Sequence, residues 1–433
     1  MSEVTATLQR SFKETEIGPI PVEWEVLPLR DAATFSRKPR GINLSDYEAI
    51  PFIPMELVPE NGTLIEQYEL KPGKSIRSGT YCEKGDILVA KITPSFENGK
   101  QGIVGDLPLE FAYATTEVYP IQAKPNCLDQ MFLFHFLRLP SVRVDIAGKM
   151  EGSTGRQRVP KAVIENYPIP LPPLPEQRRI AHVLSTIQRA IAAQDALIAA
   201  ARDLKRSLMQ RLFTYGPGPE PAPTKATEIG GMPEHWEVVR LGEIASAVSS
   251  GLTPRGGRKT YLSSGVHFIR SQNVLMNRLC LSDIAYISEE THKSMGRSEV
   301  KPGDLLLNIT GASIGRVACV PEHLKVANVN QHVCRIRLHQ ELAQALFVSY
   351  CLASERGQAL IMGTQFGTTR QGLNYGQVRS LSVPLPPIIE QQEIARTLSA
   401  VDRKIEVEEQ RKAALQALFK TMLHQLMTGQ VRV

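Results

Sequence analysis

PLPPLPEQRRIA (Pro170–Ala181) and PLPPIIEQQEIA (Pro384–Ala395) are identical at eight of twelve positions and lie 384 − 170 = 214 residues apart. A second pair, TEIGPIPVEWEVLPL (Thr15–Leu29) and TEIGGMPEHWEVVRL (Thr227–Leu241), is identical at nine of fifteen and holds both tryptophans, Trp24 and Trp236. Its offset is 227 − 15 = 212, so the 433 residues read as one architecture used twice with small insertions. Between these anchors the likeness fades but keeps its order. EKGDILVAKIT (Glu83–Thr93) answers KPGDLLLNIT (Lys301–Thr310), and ATTEVYPI (Ala114–Ile121) answers NVNQHVCRI (Asn328–Ile336). GSTGRQRVP (Gly152–Pro160) then answers FGTTRQGLN (Phe366–Asn374). Turns followed by short apolar runs predict strands in both halves.

After each PLPP the pattern changes period. Proline cannot continue a helix interior, so these runs read as extended lead-ins to helices that begin near Glu176 and Glu390. Ile180, Leu184, Ile187, Ile191, Gln194, Ile198, Ala201, Lys205, Leu208 and Leu212 alternate spacings of four and three. Adding 214 gives Ile394, Leu398, Val401, Ile405, Glu408, Lys412, Leu415, Phe419, Met422 and Leu426, the same seam with a polar residue at the same central step. That alternation is coiled-coil spacing, and a helix of roughly 38 residues needs a partner to bury its stripe. In the order globular, helix, globular, helix, an antiparallel pairing closes the chain most economically. The expected fold is mixed α/β: two β-rich domains separated by a long antiparallel two-helix coiled coil, with an internal pseudo-two-fold repeat. The boundaries expected are 1–174, a helix over 175–215, 216–388, and a second helix over 389–433. GPGPEPAPT (Gly216–Thr224) supplies the linker.

Composition bounds the function. The chain is 42% hydrophobic and 22% charged, which belongs to a globular protein rather than a disordered one. The polar N-terminus lacks the apolar core of a signal peptide, and no run of about 18 apolar residues occurs, so a cytoplasmic protein without membrane contact is expected. Six scattered cysteines form no CxxC pair and argue against both disulfides and a zinc knuckle. The net charge is +6, but residues 1–174 carry 19 Lys and Arg against 22 Asp and Glu, while residues 251–379 carry 15 against 8. Only the second half has a bulk basic signal for a polyanion.

TEIG-x-x-P-x-x-WEV-x-x-L openings coupled to PLPP-x-x-EQ-x-x-IA helix starts, twice in one chain, resemble the specificity subunits of type I restriction-modification systems. The stretches GSTGRQRVP and ITGASIGRV (Ile309–Val317) look like phrases of that family as well. The resemblance spans essentially the whole chain. It implies that the two β-rich parts are target recognition domains, each reading one half of a bipartite, asymmetric site on double-stranded DNA. It also implies that the helices dock two modification (methyltransferase) subunits, and that ATP-dependent restriction subunits join the complex. No cofactor is expected in this chain, since S-adenosylmethionine, ATP and Mg belong to the partner subunits. The first half departs at the ITGASIG position, reading KITPSFENGKQGIV (Lys91–Val104), which suggests that the domains read different sequences.

Motif searches agree with a non-catalytic subunit: there is no DPPY- or NPPF-like methyltransferase tetrapeptide, no nucleotide-binding glycine loop and no HExxH. No catalytic or metal residues are expected. Contact with DNA calls for Lys and Arg toward phosphates, and for Arg, Asn, Gln, Ser and Thr toward base edges. The first half offers Lys91, Thr93, Ser95, Asn98, Lys100 and Gln101, then Ser153, Thr154, Arg156, Gln157 and Arg158. The second offers Thr253, Arg255, Arg258, Lys259, Arg270, Gln272, Asn273, Ser313, Arg316, Gln331, Thr369, Arg370 and Gln371. Any one of these could instead be a solvated loop residue. Arg156 and Arg370 are kept by the duplication, which fits a phosphate or a fold-stabilising bond better than a base. Two other readings stay open: a specificity subunit of a compact system without separate translocating subunits, and a coiled-coil scaffold that binds proteins without DNA.

Overall fold

The computed structural model describes residues 12–60, 64–153, 155–364 and 372–433. Two compact units form, one of Met1–Asp195 with Gln410–Val433, the other of Ala196–Glu409. Each has its own hydrophobic cores. One cluster gathers Trp24, Ile121, Phe132 and Ile180 with Leu423 and Leu426, and its counterpart gathers Trp236, Ile336, Phe347 and Ile394 with Leu212 and Phe213.

The duplication extends to the topology of the two main sheets. In the first unit a sheet runs in the order Ala33–Phe35, Val118–Ala123, Ile87–Ala90, Gln101–Val104, with the short strand Leu64–Ile65 added at its edge. In the second the order is Ala245–Ser250, Val333–Leu338, Leu305–Asn308, Val317–Cys319. Ile87–Ala90 and Leu305–Asn308 are buried at all four positions, as their unbroken apolar runs require of central strands covered on both faces. A second sheet also repeats. Glu69–Lys71, Ile50–Ile53, Phe111–Ala114 and Thr80–Glu83 correspond to Ala285–Ile287, Val266–Ile269, Ala327–Val329 and Glu299–Val300, with the central pair parallel in both.

The repeated motifs are each other's partners. TEIG is a turn in both units: the Thr15 and Thr227 hydroxyls donate to the carbonyls of Gly18 and Gly230 at 2.7 and 2.6 Å. Those glycines sit at φ 94° and 101°, a region that side chains with a Cβ rarely adopt. The PLPP lead-ins are strands in their own right, since Pro168–Leu171 pairs with Glu25–Pro28 and Ser382–Leu385 with Glu237–Arg240. WEV and PLPP therefore form one ribbon per unit. Buried Trp24 donates its indole N–H to Glu176 at 3.3 Å, and Trp236 donates to Glu390 at 2.9 Å. The next residue clamps the helix start. Gln177 accepts from the Asp129 N–H at 2.8 Å and donates to the carbonyls of Cys127 and Pro172 at 3.0 and 2.8 Å. Gln391 does the same with Gln344, Leu342 and Pro386 at 2.8, 3.0 and 2.8 Å.

The helices run over Leu174–Tyr215 and Ile388–Met427, starting two residues earlier than the proline argument expects. The carbonyls of Pro173 and Pro387 already accept the first helical bonds, and Pro175 is tolerated because first-turn positions need no N–H partner. Both helices end on a left-handed glycine, Gly216 at φ 79° and Gly429 at φ 70°. Every seam residue is buried or half-buried, while most flanking positions are exposed. Within the first unit Lys412 pairs with Asp195. Within the second, Lys205 pairs with Asp402 and Arg202 with Glu409, each at 2.6 Å.

Candidate functional site

At one end of the main sheet of each unit, the backbone makes the same junction. In the first unit Lys91 follows the strand Ile87–Ala90, and its N–H donates to the carbonyl of Glu117, the residue before Val118–Ala123. The hairpin Glu151–Ser153/Arg156–Arg158 closes on this junction through the Thr93 N–H to the Gln157 carbonyl at 3.0 Å and the Val159 N–H to the Lys91 carbonyl at 2.8 Å. Arg158 donates Nε and Nη2 to the two oxygens of Glu117 at 2.9 and 2.7 Å. The hydrogen bonds from Arg158 hold the Glu117 carboxyl below its usual range. Lys91 Nζ lies 4.8 Å from the centroid of the Tyr119 ring, and burial lowers the affinity of its amine for a proton. Ser153 and Arg156 stand exposed on the hairpin.

In the second unit the Ile309 N–H donates to the His332 carbonyl at 3.0 Å and the Leu373 N–H to the Ile309 carbonyl at 2.9 Å. The bridge between Thr310 and Gly372 corresponds to the bridge between Ile92 and Arg158. The side chains differ entirely. His332 Nδ1 is 2.6 Å from the Thr310 hydroxyl, and its Nε2 is 3.1 Å from the amide nitrogen of Gln331. Gln331 in turn accepts from the Thr253 hydroxyl, and Ser250 meets the phenol of Tyr375 at 2.5 Å. Arg255, Arg258 and Lys259 are exposed on the loop that leaves Thr253.

The turn after each central strand is tied down from a helix behind it. Arg143, buried against the Phe96 ring, donates to the carbonyls of Leu137 and Phe96 at 2.9 and 2.8 Å and to the Gln101 amide oxygen. Gln358 in the second unit donates to the carbonyls of Leu352 and Gly315 at 2.8 and 2.9 Å. Held this way, the turn after Thr93 presents exposed Asn98 and half-buried Ser95, and the turn over Ser313 presents exposed Arg316.

Several expected contact residues are engaged elsewhere. Gln101 is fully buried, donating to the Phe134 carbonyl at 2.8 Å and accepting from Arg143, so its amide is satisfied within the core. Lys100 donates to the Met55 carbonyl at 2.9 Å. Asn273 is buried and spends its amide on the carbonyls of Cys280 and Asp283. Arg270 and Gln272 both turn to Asp283. Thr154, Thr369, Arg370 and Gln371 lie outside the described residues. Sequence reasoning passed over Glu117, Tyr119, Ser250, Thr310 and Tyr375. For Glu117 a signal was available: the matched stretches ATTEVYPI and NVNQHVCRI put glutamate where the second half has His332. Among the described residues no group of His, Cys, Asp and Glu could hold a metal ion, and no helix is long and apolar enough to cross a membrane.

The family described as type I restriction modification DNA specificity domain matches residues 21–200 and 233–417. The type I restriction enzyme MjaVIII specificity subunit of Methanocaldococcus jannaschii is 25% identical over 98% of this chain and 97% of its own length. The EcoAI specificity subunit of Escherichia coli is 36% identical over a shorter stretch, 37% of this chain and 27% of its own. Among solved structures, the S subunit of a type I restriction-modification system from M. genitalium aligns with a TM-score of 0.58 at 13% identity, over 93% of this chain and 96% of that one. A chain from a type I R-M system studied for complex assembly and conformational transition aligns with a TM-score of 0.55 at 19% identity, over 95% and 99%. At these identities the structural likeness speaks for the fold alone.

Proposed function

The chain belongs to the type I restriction-modification DNA specificity family, and we propose on that premise that it selects the DNA site of a multi-subunit enzyme whose chemistry resides in other subunits. One observation carries this reading. The same backbone junction is built twice, and its side chains differ: half-buried Lys91 and Glu117 with exposed Arg158 in one copy, half-buried His332 with exposed Thr253 and Gln331 in the other. A duplicated scaffold with diverged edges suits a protein that reads two different half-sites of one duplex. The basic loop Arg255, Arg258, Lys259 supplies phosphate contacts beside the second reader.

The two long helices form an antiparallel coiled coil, a reading supported by their buried seams and by the ion pairs of Lys412, Lys205 and Arg202 within the two units. Leu197, Leu204, Val407 and Leu418 remain exposed on these helices outside the seam and offer apolar ground for two modification subunits, with restriction subunits completing the complex. S-adenosylmethionine, ATP and Mg are held by those partners in the cytoplasm. The test is reconstitution. The chain alone with S-adenosylmethionine and mixed DNA is expected to transfer no methyl group, whereas its addition to modification subunits directs adenine methylation to one bipartite site. Methyl transfer by the chain alone, or a methylation pattern indifferent to its presence, overturns the reading.

A further inference from the structure

We propose that Arg158, braced by Glu117, reads a guanine in the half-site of the first unit; the assignment rests on the DNA-reading function above. Its basis is a hydrogen-bond count. A guanidinium has five N–H donors in a fixed plane. Glu117 takes Nε and one donor of Nη2, the pair along one side of the group. The pair at its far end, one donor on each of Nη1 and Nη2, stays free on a side chain that is 44% exposed. Two parallel donors match the O6 and N7 acceptors on the major-groove edge of guanine, while adenine offers one acceptor and one donor there and cytosine a donor. The brace fixes the plane of the fork before DNA arrives, so less side-chain freedom is lost on binding.

The duplication separates this role from two simpler ones. The bonds that close the helix joints and the junction itself recur in both units: the Trp to Glu bond, the Gln clamp and the junction between Lys91 and Glu117, repeated by Ile309 and His332. The ion pair does not recur, because Gly372 stands where Arg158 would be and His332 where Glu117 would be. The junction therefore closes without it. A phosphate contact would be wanted at both half-sites, since backbones are alike, whereas a base contact differs between them. Both members of the pair changed together, as a reader and its brace should.

The experiment is methylation-site mapping and DNA binding with the full chain assembled with its modification subunits, comparing wild type, Arg158→Ala, Arg158→Lys and Glu117→Gln. Arg158→Ala is expected to lower preference for guanine at one position of one half-site by about 10- to 100-fold. The other half-site, read by the second unit of the same molecule, stays as it was and reports that the variant folds. Lysine keeps the charge but not the fork, so Arg158→Lys does not restore the preference, and Glu117→Gln weakens it in part. An even loss of affinity for all DNA that Arg158→Lys repairs would assign a phosphate contact and overturn the proposal. So would an unchanged site. A wild-type complex that leaves no bipartite mark overturns the underlying reading and this assignment with it.

Discussion

Asp86 and Asp304 occupy the same turn in the two units, and the residue that faces each carboxylate differs. Each closes the turn by accepting a backbone N–H, from Glu83 and Lys301 respectively, both at 2.8 Å. Arg337 faces Asp304 with two bonds of 2.7 Å. On the corresponding strand the first unit has Gln122, so buried Asp86 has only the Glu83 N–H and the Ser36 hydroxyl at 2.9 Å. Burial pushes its carboxyl up from 3.8 to about 6. The folded form then holds the proton more tightly than the unfolded one, so this group costs stability as pH rises from about 4 to about 6 and keeps that cost above. The full difference is ~3 kcal/mol. Asp86→Asn keeps both bonds, because a serine hydroxyl can accept as well as donate, and is expected to gain stability over wild type across that interval. His135 pulls the other way, since burial lowers its ring to about 3 and the folded state loses stability as pH falls below 6.5. It is common to both proteins, so subtracting their urea midpoints at pH 4, 5, 6 and 7 isolates Asp86. A difference that stays flat with pH contradicts the assignment.

At the scale of elements, what the repeat keeps is the joint between each long helix and its own domain. Gln177 and Gln391 are almost fully buried and make three bonds apiece, each receiving the backbone N–H of the residue that caps the next helix, Asp129 or Gln344. Truncation leaves buried donors and acceptors unpaired, at a cost of about 2–4 kcal/mol. Gln177→Ala is therefore expected to speed hydrogen exchange in the helix Gln130–Phe136 while leaving Ala345–Ala353 untouched, and Gln391→Ala to do the reverse. Equal loss of protection in both helices would mean that the clamps are not local. The helices themselves were legible, because a 4-3 period sustained over ten positions fits a paired helix and neither a strand nor a loop. Their joints were visible only as repeated identity, since the order of residues does not say which Trp meets which Glu across 152 residues.

For the whole molecule, the main consequence is modularity. The hydrophobic clusters of the described residues each fall inside one unit, so the units have separate cores. Replacing residues 20–160 with the equivalent part of a relative is expected to change one half-site of the methylation pattern only. A change in both half-sites, or in neither, rules this out. Sequence alone determined the duplication, the two long helices, the alternation of strands and turns, and the family, because periodicity and repeated motifs are properties of the order of residues. It pointed to the loops around Lys91, Arg156 and Arg158, Thr253 and Gln331, which the structure gathers at the junction at one end of each main sheet. It did not sort exposed from buried residues within them: Gln101 and Asn273 have the same polar chemistry as Asn98 and Gln331 yet are buried, and Glu117 drew no notice. Whether a polar group faces solvent or the core, as with Gln101 against Arg143, and whether a carboxylate stands alone or holds an arginine, as Glu117 holds Arg158, depends on neighbours 42 and 41 residues away along the chain, and only tertiary structure supplies them.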